Sequence, residues 1–77
     1  VTAAQTLVRA LNAAAKSSQF TYSKARATAR QDTNVDWAKT KECNSDFNPE
    51  VDGCESFVMN DGSIAEWTAS KQQYVAR

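Results

Sequence analysis

Histidine is absent from the 77 residues, proline occurs once, and glycine only twice. Without histidine the chain lacks the commonest general base and metal ligand near neutral pH. No nucleophile elbow, phosphate-binding glycine loop, dinucleotide glycine pattern or zinc spacing takes its place. The expectation is a protein that is not an enzyme and uses no metal or cofactor. Long apolar runs are missing too: nothing approaches the ~18 consecutive residues that would span a membrane. No signal peptide is visible, yet the chain opens on Val1 rather than methionine, so an upstream segment is expected to have been removed.

Acids are missing from all of residues 1–31, which carry Arg9, Lys16, Lys24, Arg26 and Arg30. The nine acids of the chain all follow, from Asp32 to Glu66, among four bases. The formal net charge of zero therefore hides +5 against −5 in the two halves. Such asymmetry concerns partners and self-association rather than fold.

The cationic half reads as one helix from Thr2 to Arg30, because alanine, leucine, lysine, arginine and glutamine dominate it. At 1.5 Å per residue it would be roughly 45 Å long. Its apolar stripe runs Ala4, Leu7, Leu11, Ala14, Ser18, Tyr22, Ala25 and Ala29, at spacings of three and four. Most of these side chains are small, so Leu7, Leu11, Phe20 and Tyr22 must anchor the helix, with Ala14 and Ala25 allowing close approach. A rod this long and this poor in bulky groups is expected to exceed what its own domain can cover.

From Asp32 the pattern changes. "DTN" is a helix stop, and "CNSDFNPEVDGC" crowds turn formers into a loop. The apolar run Phe57-Val58-Met59, the turn Asn60-Asp61-Gly62 and the resumption at Ile64 and Trp67 predict a hairpin, with a third strand through "QYVA". A competing prediction is a C-terminal helix starting at Ser63, since Ser63 and Glu66 have capping-box spacing.

A chain of this size buries only about 60% of its unfolded surface and usually needs a staple. Cys43 and Cys54 allow a single pairing. Its 12-residue loop is worth about 2.8 kcal/mol in the chain-entropy model, and an even cysteine count in so short a chain points to an oxidising compartment. Within that loop Asn48, Glu50 and Asp52 followed by Gly53 imitate a calcium loop, but its twelfth place, which requires a glutamate, holds Met59. Nucleic acid is not an expected partner: aromatics interleave with the cations only at Phe20 and Tyr22, and the second half is acidic. The alanine-rich stripe is also weak for a membrane surface.

The stretch "TLVRALNAAAKSSQFTYSKA" resembles the soluble half of the long helix in type IV pilins and pseudopilins, in wording nearest the mannose-sensitive haemagglutinin type. Thr6, Leu7, Ala13, Tyr22, Ser23, Lys24 and Ala25 carry the resemblance. About 20 residues match well and the remaining 57 only in outline. It implies an α+β fold in one domain: a long N-terminal helix (1–31) packed on a small antiparallel sheet, with the acidic part (32–77) holding a disulfide-bounded loop from Cys43 to Cys54. Departures are the absent apolar half-helix, a short globular part, and 23 residues after Cys54.

The resemblance implies a structural subunit of a pilus or pseudopilus at the cell surface, whose partners are other copies and other pilins. Its membrane contact would come only through the missing apolar segment. Arg9, Lys16, Lys24, Arg26 and Arg30 would face Asp46, Glu50, Asp52 and Glu55 of neighbouring subunits. The alternative is a small secreted, disulfide-stapled binding module or effector whose basic helix docks an acidic partner.

Overall fold

A computed structural model of the chain describes residues 1–16, 22–40 and 56–77. In chain order they form α1 (Ala3–Ala15), α2 (Tyr22–Arg30), β1 (Ser56–Val58), β2 (Ile64–Thr68) and β3 (Gln73–Ala76). This is a small α+β fold, with two helices and a three-stranded antiparallel sheet in the order β1-β2-β3.

α1 starts where its exposed N–H groups find acceptors. Thr2 is the N-cap in extended conformation, and its hydroxyl accepts from Gln5 N–H at 3.2 Å while Gln5 Oε1 accepts from Thr2 N–H at 2.8 Å. This reciprocal box satisfies donors that a helix end leaves bare. The helix ends at Lys16, whose N–H donates to Ala14 O. α2 closes with Gln31 and Asp32 donating to Thr28 O and Ala29 O, and the Asp32 carboxylate then accepts from Asn34 N–H. The stop expected at "DTN" is thus an Asx turn.

The single rod expected from Thr2 to Arg30 is corrected. In a straight helix Ala4 and Ala29 would stand about 37 Å apart; here both are fully buried in one core, and the longest extent of the backbone is 29 Å. Of the stripe, Ala4, Leu7, Leu11, Ala25 and Ala29 are buried and Ala14 is half-buried, while Ser18 lies outside the described residues. Leu7 and Leu11 share one core with the sheet residues and with the alanines of the second segment. Ala25 and Ala29 have no bulk to hold the axes apart, so α2 packs on α1. Leu7 and Leu11, expected to anchor the helix, do so inside their own chain. Leu7 and Leu11 are 1% and 0% exposed within their own chain.

The sheet settles the choice between hairpin and C-terminal helix in favour of strands. Met59 N–H donates to Ser63 O and Gly62 N–H to Met59 O, closing the turn Asn60-Asp61-Gly62. Gly62 sits at φ +87°, a conformation costly for any residue with a Cβ. The second turn puts Gln72 at φ 51°, and its side-chain amide donates to Ala69 O at 2.8 Å. β1 pairs with β2 in the register Phe57↔Ala65, and β2 with β3 in the register Trp67↔Tyr74. Strand alternation then sends Phe57, Ala65, Trp67 and Tyr74 to one face, against the helices, with Met59 beside them. Trp67 and Tyr74 meet edge to face, their centroids 5.2 Å apart. Fully burying each large side chain of this set contributes roughly 1.5–3 kcal/mol.

Candidate binding surface

The two edges of the sheet are met differently, β1 by a neighbouring segment and β3 at one residue. At β1, the segment 34–40 lies alongside. Val35 bridges Met59, Asp36 N–H donates to Val58 O at 2.8 Å, and Asn60 N–H donates to Asn34 O at 2.7 Å. The hydroxyl of buried Thr40 accepts from Val58 N–H at 3.1 Å and donates to Asp36 O at 2.9 Å. At β3 a single side chain serves. The Asn12 amide donates to Tyr74 O at 3.1 Å and accepts from Tyr74 N–H at 2.7 Å, imitating the peptide group of a neighbouring strand. It ties the middle of α1 to the sheet edge.

The start of α1 is tied to the sheet as well. Ala3 N–H donates to the Asp61 carboxylate at 2.9 Å and Ala4 N–H to Ser63 Oγ at 3.0 Å. The Ser63 hydroxyl and N–H also donate to Asp61. With the Thr2 side chain and carbonyl serving Gln5 and Thr6, all four leading N–H groups have acceptors. The N–H of Ala3, then the hydroxyl and N–H of Ser63, hold the Asp61 carboxyl down at about 2. A carboxylate here also meets the positive end of the helix dipole.

Between α1 and the outer edge of β3 runs a trench of about 570 Å³, walled by Gln5, Val8, Arg9 and Asn12 on the helix and by Tyr74 and Ala76 on the strand. A smaller hollow of about 170 Å³ continues it past Asn12 to Ala15, Lys16 and Gln72. Neither wall includes an acid. Gln5, Arg9, Asn12 and Lys16 recur at spacings of four, three and four, a polar stripe next to the buried one.

No family model, no curated protein and no solved structure matches the chain.

The expected packing residues divide as follows. Leu7, Leu11 and Ala25 are buried in the core, and Ala14 is half-buried. Phe20 lies outside the described residues, and of Tyr22 only the backbone is described. Among the expected interface cations, Arg9, Lys16, Lys24 and Arg30 are exposed. Arg26 is half-buried, its guanidinium 5.9 Å from the centre of the Trp37 ring, which in turn meets Phe57 edge to face at 6.0 Å. Part of its role is thus the packing of its own chain.

Asp46, Glu50, Asp52, Glu55, the pair Cys43 and Cys54, and the calcium-like Asn48 lie outside the described residues. Among the described residues no helix is long and apolar enough to cross a membrane. Asn12, Asp61 and Ser63 did not stand out in the sequence as tertiary contacts. The polar stripe through Asn12 was a signal available for the first. Asp61 read only as a turn residue, and Ser63 as the cap of the competing C-terminal helix.

Proposed function

We infer that this chain is a small, non-catalytic binding module that docks an acidic partner through the cationic flank of α1. The supporting observation is the trench beside β3 with the hollow that continues it, which carry Arg9 and Lys16 between them and no acid. Two acids of the described residues have partners elsewhere: Glu66 pairs with Arg77 at 2.8 Å, and Asp61 holds the start of α1. A single solvated cation on a helix is worth little. Two cations fixed beside one groove steer an oppositely charged surface and suppress like-charged ones. The folded-back helices favour this over the rod: with Leu7 and Leu11 covered by their own chain, the larger side chains that α1 leaves exposed, Gln5, Thr6, Arg9 and Lys16, are polar or cationic. Secretion goes with the staple expected between Cys43 and Cys54, which intact mass with and without reductant would test.

A second proposal, a subunit of a pilus or pseudopilus at the cell surface, has one specific observation in its favour. α1 packs on a sheet of consecutive antiparallel strands, as the pilin resemblance of residues 6–25 implies. In that case the acidic partner is another copy. Sedimentation velocity of the chain alone and with polyglutamate tests both. The binding module sediments alone as a monomer, retains polyglutamate at low salt and releases it at high salt. Absence of retention at low salt overturns it. Growth of the chain alone into long species favours the filament subunit.

A further inference from the structure

We propose that the trench between α1 and β3 seats an extended acidic peptide segment of a partner protein, its backbone at the open end of the β3 edge and its carboxylates on Arg9 and Lys16. The proposal rests on the docking function inferred above and assigns that function a place, a conformation and a side-chain chemistry.

The β3 edge supplies the first support. Ile64 and Arg77 exchange both of their backbone bonds, at 2.7 and 2.8 Å. In an antiparallel ladder such pairs alternate with pairs whose N–H and C=O groups face outward. Ala76, opposite Ala65, and Tyr74, opposite Trp67, belong to the outward set. Tyr74 has its two groups on Asn12. Those of Ala76 meet no described residue, and Ala76 lines the trench. A sheet edge with an outward N–H and C=O beside a groove is what an extended segment uses when it adds to a sheet. Asn12 limits that addition to the Ala76 end, because it already stands where the next peptide group would be.

Charge supplies the second. Arg9 and Lys16 are seven residues apart, so they lie on nearly the same side of α1, about 10 Å apart along its axis. An extended peptide advances about 3.3 Å per residue and turns alternate side chains to one face, so carboxylates two or four residues apart, about 7 or 13 Å, bracket that spacing within the reach of the long Arg9 and Lys16 side chains. No acid in either wall opposes them.

The walls also select a peptide over a single-stranded nucleic acid. Stacking of bases needs open aromatic faces on the charged surface. The one aromatic in these walls is Tyr74, which is 1% exposed.

The probe is a fluorescein-labelled octaglutamate, with labelled octalysine and a labelled oligothymidylate as comparisons, followed by anisotropy at low and high salt. The chains are wild type, the trench variant Arg9→Glu/Lys16→Glu and the α2 variant Lys24→Glu/Arg30→Glu. Circular dichroism and the urea midpoint establish that each is folded, and Arg9→Gln/Lys16→Gln replaces the trench variant if reversal disturbs the fold. The expected result is salt-dependent binding of octaglutamate by wild type, weakened about tenfold or more in the trench variant and within about twofold of wild type in the α2 variant. Binding lost in the α2 variant and kept in the trench variant overturns the trench while the docking function stands. No binding of octaglutamate by wild type, or tighter binding of octalysine or oligothymidylate, overturns both.

Discussion

α1 and α2 share one core and are held in it by different means. α1 brings Leu7 and Leu11 and adds two polar clasps to distant strands: Asp61 and Ser63 on its first turn, and Tyr74 on Asn12 in its middle. α2 presents the small side chains Ala25 and Ala29 to the core, with Arg26 on Trp37 at its flank. Its Thr28 hydroxyl donates back to Lys24 O, a local bond that ties it to nothing outside itself. α1 is fixed by polar contacts of long sequence separation as well as by bulk, whereas the holds of α2 include the close fit of its two alanines and the approach of Arg26 to Trp37. Amide exchange sharpens the comparison. α1 is expected to be protected against more of the global unfolding, and α2 to open first.

The largest effect comes from removing the bulk α1 supplies to both helices. Leu11→Ala is expected to cost about 2–5 kcal/mol, the range for emptying a packed leucine site. In a chain of this size that is a large part of the total. Urea denaturation measures it, and a loss under about 1 kcal/mol would mean that the α1–α2 contact can collapse around the cavity.

Next is the clasp at the sheet edge. Asn12→Leu retains size but removes both bonds to Tyr74, and leaving a buried donor and acceptor without partners costs about 1–3 kcal/mol. The same variant bares the β3 edge, so it is expected to self-associate with rising concentration, as unprotected edges do. A variant as stable and as monomeric as wild type would show that water replaces the amide at no cost. Thr2→Ala follows at about 1 kcal/mol, the usual worth of an N-cap hydroxyl. It acts on α1 alone and is expected to leave exchange in α2 unchanged.

What the sequence revealed and what it hid have separate physical causes. The turn at Asn60-Asp61-Gly62 was legible because a left-handed position between two apolar runs admits few residues, and "QYVA" because it sets an aromatic beside a β-branched residue. The buried faces of both helices were legible from the spacing of Ala4, Leu7, Leu11, Ala25 and Ala29. The break between the helices was hidden by the same spacing, which continues in phase through Ser18 and Tyr22. Periodicity reports which side of a helix is apolar and not whether the helix is continuous. In the candidate site, the cations were plain, but the trench was not. It needs β3 beside α1, and the contact that puts it there joins Asn12 to a residue 62 positions away.

The smallest expected effect is the response of the α1 clasp to acid. The Asp61 carboxyl is held at about 2 in the folded chain against an ordinary value of 3.8, because it accepts from Ala3 N–H and from Ser63. A lowered folded value means the ionised form is the one that stabilises. Its contribution is complete above about 4, shrinks as protons bind the unfolded chain first, and is gone below about 2. The group is exposed, so salt screens part of the charge effect while the hydrogen bonds remain. In Asp61→Asn the amide oxygen can still accept from Ala3 N–H, but the charge at the helix start is absent. The urea midpoint of wild type should therefore exceed that of the variant near neutral pH, with the gap closing between pH 4 and 2. A gap that persists unchanged through that window would assign the clasp to hydrogen bonding and turn geometry, with no share for the carboxylate charge.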